Sequence, residues 1–330
     1  MREREKIGHR DFAKRSDQVQ GVCTKVEGSR AGARGRVAVA DVGGTRLRVA
    51  IFDLQGHMIK RSEEQTPRTD ASNAIINAIK SLTGQRGIIA ACIGVPGIVI
   101  PVEERITYCE NVPSLESVAL APLVGEALKV PVTVKNDVGL GAIGEYVYGK
   151  YAGADSLVNI SIGTGLGCGI VIAGKPWLGA HGLASEIAEW QVLDPWSGDV
   201  KRAEDVCSGL ALSKRADEIL GQSVRRDDLD SSEVLYRAAA EGNEEAKRAF
   251  SEVGKALGKI IACIGGLLDP SAVILNGGVM KAGEFILESV YSAYRQASIG
   301  PARDIANIAI SNLGDLAPLL GGYSSIVTRL

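Results

Sequence analysis

The sequence predicts a two-domain α/β protein, and three features of the chain support this prediction. The 330 residues exceed what one small hydrophobic core organises. A short apolar strand, a turn rich in glycine and threonine, and a second strand occur twice, at 37–53 and again at 157–173. Helical periodicity then dominates from about 203 to 268. The repeat therefore indicates two related halves packed across a cleft.

The same patterns suggest where the domains begin and end. Residues 1–36 carry ten Lys and Arg against five Asp and Glu, show weak periodicity, and are predicted to be a flexible basic leader. Residues 37–135, together with a C-terminal helix at about 316–330, form the predicted small α/β domain. Residues 136–315 form the predicted large α/β domain.

Composition and charge narrow the functional class. The formal net charge of −2 creates no field that would attract nucleic acid or an anionic membrane. The chain has no apolar signal core after its charged start and no run of about 20 apolar residues, so we expect a cytoplasmic protein. The six cysteines form no Cys-x-x-Cys pair and several lie in apolar runs, which predicts buried, reduced thiols.

Two glycine-rich turns are the first candidates for chemistry. The segments Asp41-Val-Gly-Gly-Thr45 and Gly163-Thr-Gly-Leu-Gly167 each join two strands and present backbone N–H groups beside a threonine hydroxyl. Such turns bind phosphate because no Cβ blocks the inward-pointing amides. A dinucleotide-binding motif at the second turn is rejected because a strand follows it. A P-loop ending at Lys175 is rejected because Pro176 replaces the required Ser or Thr.

Carboxylates form the second set of candidates. Asp137 follows Asn136 where an apolar strand ends and a helix begins, so it is either a helix N-cap or a catalytic base. Glu186 lies among apolar neighbours, where an idle carboxylate would be costly, although it could also begin a helix and face solvent. Glu189 and Glu204 follow in the same stretch.

The order and spacing of these segments resemble the ROK (repressor, open reading frame, kinase) family of sugar kinases and regulators, from about Val37 to the C-terminus. The resemblance implies an actin- and hexokinase-like (ribonuclease H-like) fold with its active site in the cleft between two domains. The segments that carry it are Asp41-Val-Gly-Gly-Thr45, Gly94-Val-Pro-Gly97, Glu110-Asn-Val-Pro113, Asn136-Asp137 with Gly144-Glu145, Gly163–Gly167, Gly179–Glu186 and Leu275-Asn-Gly-Gly278.

The resemblance also implies a role for each candidate residue, with ATP and Mg²⁺ as cofactors. Asp137 would be the catalytic base, and Asp41 would help position Mg²⁺ through water. The implied sugar-binding residues are Asn111, Asn136, Asp137, Glu186 and Glu204. Glu189 is a further candidate, because it replaces a residue that normally contacts sugar. The implied nucleotide-binding residues are Asp41, Gly43, Gly44, Thr45, Gly163, Thr164 and Gly165 at the phosphates, with Gly277 and Gly278 against the adenosine.

One segment departs from the family pattern. The family usually has Glu-x-Gly-His followed by a cysteine-rich zinc loop, whereas this chain has Glu186-Ile-Ala-Glu189 and neither Cys nor His in 190–203. A structural zinc site needs about four N or S ligands, so no zinc site is expected. Packing of Trp190 and Trp196 is expected to hold the loop instead.

The replacement at Glu189 leaves two alternatives open. Its carboxylate could line the sugar site, where it would be repelled by Glu186 and Glu204. Lys201 or Arg202 could then neutralise part of the negative charge. The carboxylate could equally turn to solvent and touch no sugar. This uncertainty concerns the identity of the sugar. It has less bearing on whether a phosphoryl group is transferred.

The expected activity is ATP-dependent phosphorylation of a hexose hydroxyl, with glucose O6 first by resemblance and N-acetylhexosamine, mannose or fructose left open. A sugar-sensing repressor would need a DNA-binding helix-turn-helix, for which 1–36 is short. A sugar-binding protein without turnover would not need Asp137 and both turns. The expected partners are a sugar and ATP, without nucleic acid or membrane; a homodimer or homotetramer stays open.

Overall fold

The computed structural model contains two five-stranded sheets built on one plan. The predicted leader lies outside the described residues apart from Gly35 and Arg36. The structure describes residues 35–84, 87–101, 103–220, 231–304 and 307–328.

The first half supplies one sheet and a small hairpin. Its strands are β1 (Arg36–Val42), β2 (Arg46–Asp53), β3 (Met58–Gln65), β4 (Ala90–Val95), β5 (Ile98–Ile100), β6 (Arg105–Tyr108) and β7 (Val132–Asn136). The sheet order is β3-β2-β1-β4-β7, while β5 and β6 pair with each other. β1 runs antiparallel to β2 and parallel to β4, which is parallel to β7. β1 and β4 are buried on both faces, as central strands of such a sheet require.

The second half repeats this arrangement. Its strands are β8 (Ser156–Ile162), β9 (Leu166–Ile172), β10 (Lys175–Pro176), β11 (Gln191–Leu193), β12 (Val200–Arg202), β13 (Ala272–Asn276) and β14 (Ile308–Ile310). The sheet order is β10-β9-β8-β13-β14, while β11 and β12 form a hairpin. β8 is antiparallel to β9 and parallel to β13, which is parallel to β14. The duplication predicted from two short turns therefore extends over both sheets.

Helices cover the faces of the sheets. The described residues form α1 (Ala71–Thr83), α2 (Leu120–Leu128), α3 (Asp137–Tyr148), α4 (Ala203–Cys207), α5 (Gly209–Leu220), α6 (Ser231–Ala240), α7 (Glu244–Leu268), α8 (Gly283–Ala297) and α9 (Ala317–Val327). α1 and α2 share a core with one face of the first sheet, and α3 and α9 cover its other face. α4 to α8 build the larger core of the second half.

The last helix packs on the first sheet. The Phe52 and Tyr323 rings lie 5.1 Å apart, and the Tyr323 hydroxyl donates to the Leu54 carbonyl at 3.0 Å. α9 also crosses α3 at very close range, because a Cβ on Gly144 would collide with the carbonyl oxygen of Ala317. This packing agrees with grouping the C-terminal helix with the first half, although the division into domains stays a prediction.

The cysteine prediction is correct for four thiols and wrong for one. Cys92, Cys109, Cys168 and Cys207 are buried, whereas Cys263 is exposed, because α7 turns that position away from the core. Cys23 lies outside the described residues. Within the described ranges, the chain has no helix with the length and apolar character needed to cross a bilayer.

Candidate active site

The two glycine turns converge on the side chain of Asn111. A Cβ placed on Gly44 would lie 3.1 Å from Cβ of Asn111. A Cβ placed on Gly165 would lie 3.6 Å from Nδ2 of the same residue. Both predicted phosphate-binding turns therefore border one space between the two halves.

Neighbouring segments hold the first turn in shape. The Gly43 N–H donates to the Arg46 carbonyl at 2.9 Å. From the end of β3, the Thr66 hydroxyl donates to the Gly43 carbonyl at 2.8 Å, and the Thr66 N–H donates to the Thr45 carbonyl at 3.0 Å. The turn is therefore fixed before any ligand arrives.

A buried ion pair lies beside the first turn. The carboxylate of Asp41 is 4% exposed, and its Oδ2 lies 3.3 Å from Nη1 of Arg48. Burial raises the pKa of Asp41 to about 6, although the Arg48 guanidinium opposes the rise. Arg48 also pairs with Glu63 at 3.2 Å and with Asp315 at 3.6 Å.

Sequence reasoning missed Arg48. A signal was present, since β1 and β2 flank a tight turn and the residues paired across it are set by their distance from that turn. Asp41 and Arg48 face each other in this register. A charged residue opposite a buried aspartate could therefore have been predicted as its partner.

Asp137 is the first residue of α3, and the N-cap alternative is wrong. The cap is Asn136, whose Oδ1 accepts the Gly139 N–H at 2.7 Å. Oδ1 of Asp137 accepts the Val138 N–H at 2.8 Å. Burial raises the pKa of Asp137 to about 7, and the negative charge of Asp41 adds to the rise. Such a carboxyl changes charge near neutral pH, as a general base does.

Asn136 also holds neighbouring segments together. Besides capping α3, its Nδ2 donates to the Gly97 carbonyl at 3.0 Å. The amide therefore ties the start of α3 to the Gly94-Val-Pro-Gly97 turn that follows β4. Its implied contact with sugar would use the second amide N–H as a donor or the second lone pair of Oδ1 as an acceptor.

The three glutamates that are candidates for the sugar side lie close enough for their charges to interact. Burial raises the pKa of Glu186, and the charges of Glu189 and Glu204 raise it further. Oε2 of Glu204 accepts the Leu166 N–H at 2.9 Å. Glu204 therefore links the predicted sugar side of the site to the second glycine turn, directly after Gly165.

Glu189 is exposed but paired. Its side chain is 59% exposed, and Oε1 lies 3.1 Å from Nη1 of Arg202. Arg202 also holds Asp205 at 3.1 Å. Of the two cations suggested from sequence, Arg202 therefore answers the charge of Glu189, whereas Lys201 binds Asp194 instead.

The two tryptophans pack as expected. Trp190 and Trp196 lie partly buried against the core of the second half. The guanidinium carbons of Arg215 and Arg248 lie 5.5 and 5.0 Å from the Trp196 ring centroid. No cluster of three His, Cys, Asp or Glu suited to a metal ion occurs in the part of the chain that the structure describes. The lack of a zinc site stays a prediction.

The predicted adenosine side follows β13. Gly277 has φ of +95°, and a Cβ there would collide with the Ile162 carbonyl at the end of β8. Gly277 therefore lets this loop pass close to the second turn. A Cβ on Gly278 would meet open space, with no atom within 4 Å among the described residues. The second glycine turn is also anchored by the Gly209 N–H, which donates to the Gly163 carbonyl at 2.8 Å.

Comparison with known proteins now settles the family. A model of the ROK family matches residues 37–328. The chain belongs to the ROK family. The glucokinase of Streptomyces coelicolor is 27% identical to this ROK chain over 299 residues, which cover 85% of this chain and 94% of that protein. The bifunctional enzyme NanE/NanK of Brucella melitensis is 32% identical over 292 residues, which cover 85% of this chain and 54% of that protein.

A solved structure supports the same assignment. The ROK family glucokinase from Streptomyces griseus, in complex with glucose and AMPPNP, superposes on this ROK chain with a TM-score of 0.77. The two chains are 28% identical, and the match covers 88% of this chain and 99% of that one. The predictions of ROK membership and of an actin- and hexokinase-like α/β fold are confirmed.

Proposed function

We propose that this ROK chain transfers the γ-phosphoryl group of ATP to O6 of glucose. Family membership and the glucokinase relatives establish the broader class, an ATP-dependent sugar kinase. The observation that carries the proposal is the setting of Asp137. Its carboxyl begins a helix at the cleft, is influenced by Asp41 and Glu186, and has a pKa of about 7.

In the proposed reaction, Asp137 accepts the proton of the attacking hydroxyl. Val138 occupies its Oδ1, which leaves Oδ2 for the substrate. A base with a pKa near the working pH combines sufficient basicity with a large ionised fraction. The carboxylates of Glu186 and Glu204 would orient the sugar by accepting from its hydroxyls, and the Asn111 amide could both accept and donate.

The proposed phosphate site uses both turns. The Gly43 and Gly163 N–H groups are used within the turns, where they donate to the Arg46 and Gly165 carbonyls at 2.9 and 3.0 Å. The backbone amides of Gly44, Thr45, Thr164 and Gly165 would therefore surround the transferred group, with the hydroxyls of Thr45 and Thr164. Arg48 supplies a positive charge beside the first turn. Phosphoryl transfer depends mainly on such positioning and charge neutralisation. Closure of the two halves over the sugar would exclude water, which otherwise competes as acceptor.

The residues present fit a divalent cation held through water. Asp41 is a buried carboxylate whose charge also raises the pKa of Asp137, and a cation would relieve that repulsion. Bound Mg²⁺ would neutralise charge on the phosphates of ATP. Asp41 is the residue that we propose to orient its water shell.

The substrate N-acetylhexosamine is the second candidate. The Glu189 carboxylate pairs with Arg202. On the proposed sugar side it would accept a hydrogen bond and so favour a donating group, such as the N–H of an acetamido substituent. The 32% identical NanE/NanK relative supports keeping this candidate.

An ADP-release assay across glucose, mannose, N-acetylglucosamine, N-acetylmannosamine and fructose tests the substrate. We expect glucose to give the highest kcat/KM. A preference for an acetamido sugar would replace glucose with the second candidate.

The substitution Asp137→Asn tests the base. We expect kcat to fall by about 10²–10⁴, the usual effect of losing a general base, while the folded structure persists by circular dichroism. Asp155→Asn, at an exposed position, is the matched control and should leave kcat unchanged. Near-normal turnover of Asp137→Asn would reject Asp137 as the base.

A further inference from the structure

The loop between the sugar-side glutamates is organised around one buried carboxylate, that of Asp194. The β11–β12 hairpin joins the short helix that carries Glu189 to α4, which carries Glu204. Asp194 begins the turn of this hairpin and is 1% exposed. A charged group buried in a loop is costly unless its partners repay the lost hydration.

Four donors surround the Asp194 carboxylate. Oδ1 accepts the Trp196 N–H at 3.0 Å and Nη2 of Arg215 at 2.8 Å. Oδ2 accepts the Ser197 hydroxyl at 3.0 Å and Nζ of Lys201 at 2.8 Å. Burial pushes the pKa of Asp194 up, but the hydrogen bond from Lys201 and its other partners outweigh burial and hold the pKa below its usual value. The carboxylate is therefore fully ionised and fixes its partners in place.

Arg215 connects this centre to the second glycine turn. It lies on α5 and is almost fully buried. The first two N–H groups of α5, those of Gly209 and Leu210, donate to the carbonyls of Gly163 and Thr164 at 2.8 and 3.2 Å. These two backbone bonds do not involve Asp194, so α5 stays anchored to the turn and serves as the support from which Arg215 holds the hairpin.

The other end of the hairpin reaches the sugar side. Lys201 binds Asp194, and the next residue, Arg202, pairs with Glu189. Two residues later, Glu204 accepts the Leu166 N–H beside the same glycine turn. The hairpin, the two glutamates and the turn thus form one connected unit.

We propose that Asp194 is a positioning residue that sets Glu189 and Glu204 relative to the second glycine turn. The proposal rests on the proposed sugar kinase function. It assigns Asp194 no contact with sugar or ATP. Its effect is to remove freedom from groups that would otherwise have to be ordered when the sugar binds.

The test uses the full chain with Asp194→Asn, assayed well below its unfolding temperature. Asparagine keeps the shape but leaves Lys201 and Arg215 without their counter-charge. We expect the KM for the sugar to rise by at least about tenfold, while the KM for ATP changes by less than about threefold. Lys201→Met removes the more exposed partner only, folds more readily, and should raise the sugar KM by a smaller factor.

A second readout does not depend on catalysis. Trypsin cuts after Lys and Arg, and the ordered β12 strand protects the bonds after Lys201 and Arg202. We expect cleavage there to be at least about tenfold faster in Asp194→Asn than in the wild type. Asp199→Asn, exposed in the same turn, should match the wild type in both KM and cleavage rate.

The outcomes separate this proposal from the proposed function. If the wild type phosphorylates no sugar but Asp194→Asn is still cleaved rapidly, the kinase function is rejected. The role of Asp194 in holding the loop is then retained. An unchanged sugar KM in Asp194→Asn would overturn its positioning role. So would a rise of sugar and ATP KM by equal factors, because general loosening of the protein predicts that result.

Discussion

The two glycine turns share a backbone plan and differ in what surrounds them. Next to the first turn, Asp41 and Arg48 face each other across β1 and β2. Next to the second turn, the residue pair at the corresponding position is Ser161 and Gly167, which face each other across β8 and β9. One half therefore places a buried ion pair where the other places two of the smallest side chains.

The small residues of the second half make room for α3. A Cβ on Gly167 would lie 2.6 Å from Cγ2 of Val138, and a Cβ on Gly169 would lie 2.6 Å from the Val138 carbonyl oxygen. Val138 directly follows Asp137. Glycine in the second half thus leaves space for the start of α3, which carries the proposed base. The first half instead has a charged pair beside the turn that we propose to bind phosphate.

The largest expected effect comes from filling the space that α3 occupies. Gly169→Ala places a methyl group against backbone that cannot rotate away, so α3 and Asp137 must shift. We expect kcat to fall by at least about 10², because misplacement of about 1 Å has that effect. The free energy of unfolding should also fall by about 1–3 kcal/mol, as measured by urea unfolding.

The matched control for this change is Gly266→Ala. Gly266 lies on α7 with no described atom within 4 Å of an added Cβ, so activity and stability should be retained. Equal kcat for Gly169→Ala and the wild type would contradict the role given to the second half.

A smaller effect is expected from removing the charge of the first half. Arg48→Met takes away the cation beside the first turn, and we expect the KM for ATP to rise by roughly tenfold or more, the scale of one charged hydrogen bond. Arg46→Met is the control, because Arg46 lies in the same strand with its side chain half exposed. If both variants bind ATP equally well, the ion pair serves stability and not phosphate binding.

The smallest effect concerns stability and pH. The pKa of Asp137 is raised from 3.8 to about 7, so between about pH 4 and 7 the folded state holds a proton that the unfolded state has lost. The free energy of unfolding therefore decreases as the pH rises through this window. Asp137→Asn should unfold a few degrees higher than the wild type at pH 8, with a smaller difference at pH 5. A wild type that is equally or more stable than the variant at pH 8 would disprove the raised pKa.

How far the sequence alone could go is clear from these residues. The glycine turns and flanking strands are local patterns, so they predicted the duplicated fold correctly. Asp137 was placed correctly at a strand exit, but only the structure shows that Asn136 takes the cap. The partners of Asp194 could not be predicted, because Asp194 lies in a hairpin turn and Arg215 lies 21 residues away on a helix. The segment Asp194-Pro-Trp-Ser-Gly198 has the composition of an ordinary turn.

The close crossing of α3 and α9 has a consequence for synthesis of the chain. One face of the first sheet, including Val37 and Phe52, is covered by α9, which ends at Val327. Ribosomes release the N-terminal part first, and domains generally fold in that order. Here the strands of the first sheet must wait for a helix that lies more than 260 residues later in the chain than Phe52, so the nascent first half carries an uncovered apolar face until α9 has been synthesised. Removal of α9 would accordingly destabilise the first sheet.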